Sequence, residues 1–153
     1  MSVAFRRESD EEHREPRFEL PIPPGPNLVT PAGLALAEAR VAELEAAVAG
    51  ESDELALADA QRSLRYWRTR LATAQLAPPP PADEVGFGSR VTFRLHGEER
   101  TLDIVGDDEA NPAHGRIAFS APLARALIGG GVGDFADFGG ETDVIEIVAV
   151  GLI

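Results

Sequence analysis

The sequence predicts an α+β chain, in which an N-terminal antiparallel two-helix hairpin (a short coiled coil) precedes an antiparallel sheet carrying one short helix. Three observations predict it. Two apolar stripes stepping by three and four residues flank Gly50, four prolines follow at Pro78 to Pro81, and short β-prone runs then alternate with turn signals.

Residues 1–29 mix charges with Pro16, Pro21, Pro23, Pro24 and Pro26 and show neither helical nor strand periodicity. Such a composition buries too little apolar surface to offset chain entropy, so a disordered or loosely docked arm is expected there. Inside it, Phe18, Leu20 and Ile22 alternate as a short extended segment lying on another surface would.

The hairpin is expected over residues 30–77. Thr30 suits an N-cap and Pro31 the first helical position. Leu34, Ala37, Val41, Leu44 and Val48 form one seam, which stops at Gly50; Leu57, Ala60, Leu64, Trp67, Leu71 and Ala74 form the second. Helices of matched length joined by a tight turn bury each other's stripe. Ser52 is the natural cap of the second helix, and Asp53 and Glu54 in its first turn favour the helix dipole. That helix later carries Arg62, Arg65, Arg68 and Arg70, making the hairpin negative at its tip and positive toward its base. Dipole complementarity accounts for much of this, and either a contact with a partner protein or a salt bridge to the acidic C-terminal domain would account for the rest.

Residues 78–84 read as a stiff proline-rich linker and residues 85–153 as a second domain. Strands are expected at Ser89 to Leu95, Glu99 to Val105, Arg116 to Phe119 and Val144 to Val150, separated by His96-Gly97, Asn111-Pro112 and Gly139-Gly140. A helix from Pro122 to Ile128 would turn Leu123, Ala126 and Leu127 inward, with Ser120 as its cap. Strands around a single helix indicate an α+β domain.

Composition narrows the function. The 26 acidic and 14 basic residues give a net charge of -12, which opposes binding to a phosphate backbone and favours a partner with a basic surface. No cysteine is present, which excludes disulfides and thiolate metal sites. The N-terminus has no apolar stretch long enough for a signal peptide or membrane span, so a cytoplasmic protein is expected. Asp107, Asp108 and Glu109 read as a solvated turn, and His13, His96 and His114 lack metal-ligand spacing.

The run from Ile104 to Gly133, IVGDDEANPAHGRIAFSAPLARALIGGGVG, resembles the C-terminal domain of the bacterial Gre transcript-cleavage factors. So do Val85 to Ser89, Val91-Thr92 and Val132-Gly133-Asp134. The resemblance implies an FKBP-like fold and an accessory factor that binds RNA polymerase. It implies no intrinsic catalytic residue, no intrinsic cofactor, no independent sequence-specific nucleic-acid binding and no membrane. Partner-binding residues are expected at Pro122, Leu123 and Arg125, with Asp108 and Glu109.

In the family a longer coiled coil enters the polymerase secondary channel, and an Asp and a Glu in a GDLSEN tip help hold the catalytic Mg²⁺ that cleaves backtracked RNA. This chain has GESDEL, so Glu51 and Glu54 match those acids at the same spacing and Asp53 adds a third carboxylate. Hard oxygen ligands suit Mg²⁺, and a shared metal can activate water for in-line attack. Glu51 replaces the family's Asp, however, and Leu55 its Asn. The helices are also about three turns shorter than the family's, which withdraws the tip by roughly 16 Å. A shortened hairpin is similar to the Rnk branch, implying a polymerase-binding regulator without cleavage stimulation. A third expectation is an FKBP-like protein-binding module with prolyl isomerase activity, whose pocket would draw on Phe87, Phe93, Phe119, Phe135 and Phe138.

Overall fold

Two strand residues, Leu28–Val29 (β1), lead into helix α1, Pro31–Gly50; the chain turns and returns as α2, Glu54–Thr73, which ends in β2, Gln75–Leu76. The computed structural model describes residues 18–153; most of the expected N-terminal arm, with His13, lies outside the described residues. Thr30 caps α1 by accepting from the Gly33 N–H at 3.0 Å, and Pro31 follows it. Ala37, Leu44 and Leu64 are buried where the helices face each other, with Leu34, Val41 and Val48 half-buried on the same stripe. The Arg40 guanidinium lies over the half-buried ring of Trp67, 5.6 Å from its centre.

Residues 27–29 depart from the expectation of a loose arm. Asn27 and Val29 are buried, and β1 pairs in parallel with β2 through Leu28↔Gln75 and Val29↔Leu76. Two residues per strand are too few to show a period, so only the fold reveals them. Phe18, Leu20 and Ile22 are exposed, and Glu19 between them chelates Arg65 of α2 with contacts of 2.6 to 3.1 Å. The guanidinium of Arg65 holds the Glu19 carboxyl below its usual range.

The tetraproline segment does not hang free. Pro80 lies so close to Gly86 that a side chain there would approach its Cβ to 3.0 Å. Beyond it come β3 (Ser89–Leu95), β4 (Glu98–Val105), a 3₁₀ turn at Pro112–His114, β5 (Arg116–Ala118), α3 (Pro122–Leu127), β6 (Phe135–Phe138) and β7 (Glu141–Leu152). The sheet order is β5-β4-β3-β7-β6. All neighbours are antiparallel except β4 and β5, which pair in parallel from Asp103↔Arg116 to Val105↔Ala118. The crossover through the acidic turn and the 3₁₀ turn is what permits that parallel pair.

Alternation along β3 and β7 turns Val91, Phe93, Ile145 and Ile147 inward, where α3 covers them with Ala124 and Leu127. Leu127 lies inside as its spacing predicts, whereas Leu123 and Ala126 only border the core and the fully buried Ala124 takes their place. Ser120 is not the cap of α3 either. Ala121 stands there without a side-chain bond, and the Ser120 hydroxyl donates to Asp107 Oδ1 at 2.6 Å.

Candidate functional site at the hairpin tip and its mount

Helix α1 ends at Gly50 because Glu51 takes an extended conformation, and Glu51, Ser52 and Asp53 make the turn. Glu51 Oε1 accepts the Asp53 N–H at 2.9 Å, and Asp53 Oδ2 accepts the Ala56 N–H at 2.9 Å. Asp53, not Ser52, is therefore the cap of α2, since its carboxylate reaches the free N–H three residues on. Glu54 opens the helix, exposed.

The tip thus offers three exposed carboxylates, two of which each spend one oxygen on the backbone. Among the described residues, no group of three His, Cys, Asp or Glu could hold a metal ion. The remaining oxygens are the hard donors that Mg²⁺ prefers, but they form a partial set. A cation there would need ligands from another molecule. Each helix has 20 residues, which carries the tip about 30 Å from the base.

The base is where the chain has built most. Arg70, 2 % exposed, donates from Nε to Asp108 Oδ2 at 2.5 Å and from Nη2 to Asn27 Oδ1 at 2.7 Å. Asn27 Nδ2 returns a bond of 2.7 Å to the Arg70 carbonyl, and the Tyr66 hydroxyl donates to Asp108 Oδ1. Burial first, and the Asp108 carboxylate second, push the Tyr66 hydroxyl up to about 12. The Thr30 hydroxyl donates to Glu109 Oε2 at 2.6 Å while still capping α1.

Two glycines let these groups meet. A Cβ on Gly106 would collide with the Leu28 carbonyl oxygen, and one on Gly33 would stand 3.0 Å from Glu109 Oε2. The hairpin base therefore seats directly on the turn after β4.

The sequence places Asp108 and Glu109 in a solvated turn and among the partner-binding residues; in the structure they face inward instead, onto α2 and Thr30. Burial of Arg70 draws Asp108 in, since an unpaired guanidinium there would carry a large desolvation cost. Of the other expected partner contacts, Pro122 and Arg125 are exposed on α3, and Leu123 packs on the core. His96 pairs with Glu141 at 3.0 Å, and His114 is exposed.

Sequence reasoning missed Asn27, Tyr66 and the second bond of Thr30. The available signal was Tyr66 and Arg70, four apart on α2 and off its apolar seam, with an acidic run of complementary charge at Asp107 to Glu109. The five phenylalanines do not line one pocket; Phe119 and Phe138 pack against the core that holds Phe93. Phe93 is buried, Phe87 and Phe119 meet edge to face at 5.5 Å, and Phe135 is exposed. An apolar cavity of about 740 Å³ between the hairpin base and the C-terminal domain has Phe87 as its one aromatic wall, beside Leu76, Pro78 and Ile153.

Residues 80–151 match the family model described as transcription elongation factor GreA/GreB, C-terminal. The chain is 48% identical over 68 residues to the GreA elongation factor of a Nitratiruptor species, covering 42% of each chain. It is 51% identical over 57 residues to that of a Chelativorans species, covering 36% of each. The matched part thus spans less than half the length of these relatives. Among solved structures, the GreA/GreB factor of Nitrosomonas europaea is 22% identical with a TM-score of 0.40, covering 84% of this chain and 99% of its own.

Proposed function

We propose, on the premise that the chain belongs through residues 80–151 to the GreA/GreB family, that it is an accessory factor of bacterial transcription elongation. It binds RNA polymerase by its C-terminal domain and presents the hairpin to the secondary channel. The observation that carries this reading is the combination of that domain with a finger standing on it, acidic at the end remote from its mount. A cytoplasmic location follows from the partner. The factor is no enzyme by itself; it acts through the polymerase active site.

In this reading Glu51, Glu54 and Asp53 supply carboxylate oxygens to a Mg²⁺ whose other ligands belong to the polymerase. When bound, that ion supplies activated water. What the chain itself does is hold the carboxylates forward. The Glu51 and Asp53 bonds to backbone N–H groups fix the turn, and Glu54 is fixed by its helix.

The length of the hairpin favours a second reading. With helices of 20 residues, a Rnk-like regulator would occupy the channel entrance without touching RNA. Cleavage of a stalled, backtracked elongation complex separates the two. Stimulation by the wild type that is lost in Glu51→Ala/Glu54→Ala supports the first, and binding without stimulation supports the second. Failure to capture polymerase subunits from a bacterial lysate would sink both, and would leave the FKBP-like binding module.

A further inference from the structure

We propose that Ile128, Val132 and Phe135 form an apolar knob in an acidic frame that seats in an apolar socket with a basic rim on RNA polymerase. The inference rests on the reading that this chain binds that enzyme, and extends the expected contacts at Pro122, Leu123 and Arg125 beyond the end of their helix.

The knob is exposed and yet rigid. Ile128, Val132 and Phe135 are 40%, 64% and 59% exposed, on a solvent-facing stretch that joins the end of α3 to the edge strand β6. Its backbone is pinned on both sides of Val132. Gly129 N–H donates to the Val85 carbonyl, Val85 N–H to the Gly130 carbonyl, Gly133 N–H to the Ile147 carbonyl and Ile147 N–H to the Asp134 carbonyl, all within 2.9 Å. Asp134 Oδ2 accepts the Gly131 N–H at 2.9 Å. Apolar side chains held this way lose little freedom on docking, which is the condition for an efficient anchor.

Charge decides the occupant. The Asp83 backbone lies against Gly131, Glu84 precedes the Val85 pairing, Asp134 lies inside the loop, and Asp137 shares the outer face of β6 with Phe135. Asp83 and Glu84 make no ion pair among the described residues, and after Arg125 the sequence has no basic residue at all. With four acids against the single Arg125 beside Ile128, the frame is predominantly negative, and it repels a second copy of this chain, whose net charge is -12, and nucleic acid and anionic lipid for the same reason. It steers toward a protein surface of opposite sign.

The test measures binding of the full chain to purified core polymerase, with melting temperatures of each variant as the folding control. Val132→Asp/Phe135→Asp, and separately Phe135→Ala, should bind at least about 30-fold more weakly, as expected for a buried anchor. Asp83→Asn/Glu84→Gln should bind with a flatter salt dependence. A photocrosslinker at position 132 should join the chain to a polymerase subunit. Equal binding by wild type and both knob variants, or no crosslink from position 132, overturns the knob and leaves the polymerase reading standing. If the wild type itself does not bind, the reading and the knob fall together. Wild-type dimerisation that is lost in the knob variants would also overturn it, by giving the surface to a second copy.

Discussion

Asp108 Oδ2 receives Arg70 Nε at 2.5 Å, and this pair ties the last turn of the hairpin to the turn leaving β4. Arg70 is the buried partner and Asp108, with a side chain 18% exposed, the better solvated one. The pair fixes how the finger stands on its domain.

Removing one member of such a pair strands the other. Arg70→Ala leaves Asp108 without its cation and Asn27 Oδ1 without its donor, and should lower stability in urea unfolding by about 3–5 kcal/mol. The exposed guanidinium of Arg90, paired with Asp103 at 2.8 Å, is the contrast; Arg90→Ala should cost within about 1 kcal/mol. Equal losses would show that burial of the Arg70 pair has no energetic consequence.

Tyr66 makes stability depend on alkaline pH. Its hydroxyl loses a proton near 10 when unfolded and near about 12 when folded, so the unfolded state ionises first. The contribution is therefore complete below pH about 10 and disappears as pH rises toward about 12. Tyr66 is the one tyrosine in the chain, so tyrosinate absorbance reads it directly. A midpoint near 10 in the native protein would contradict the burial of the hydroxyl together with its bond to Asp108, and Tyr66→Phe should remove the tyrosine part of the slope.

Gly106 and Gly33 face the same seam with different neighbours. Gly106→Ala drives a methyl into the Leu28 carbonyl, which is backbone and paired into β1, and should cost about 1–3 kcal/mol. Gly33→Ala meets the end of the Glu109 side chain, which can yield, and the helix gains propensity of up to about 1 kcal/mol. Thermal unfolding should therefore rank Gly106→Ala well below Gly33→Ala; the reverse order would mean that β1 gives way more easily than Glu109.

At the tip, Asp53→Ala should lower stability by about 1 kcal/mol through loss of the cap, and Ser52→Ala should leave it nearly unchanged. Thermal melts followed by helical circular dichroism distinguish them. A larger loss at Ser52 would restore the cap that the sequence suggested.

Long periodic elements were legible, and short pairings were not. The bounds of β3 follow from alternation alone, and α1 and α2 from their seams. Strand β6, Phe135–Phe138, looks like a loop because glycines surround it; it exists only because β7 runs out beside it. At the tip, Ser52 and Asp53 are both good caps, and only the turn's backbone chooses between them. Composition showed that α2 is basic toward its base, but the meeting of Arg70 and Asp108 is set by Gly33 and Gly106, which bring two surfaces together across 38 residues of sequence.

The parallel lacing of β1 to β2 has a mechanical consequence. One root of the finger enters through β1 and the other leaves through β2, and Asn27, on the first root, holds the second by donating to Arg70 and Thr73. Sliding the roots past one another would break these bonds, so the lacing opposes shear of the two helices. A load applied at the tip would then be shared with the turn after β4 through the buried pair of Arg70 with Asp108.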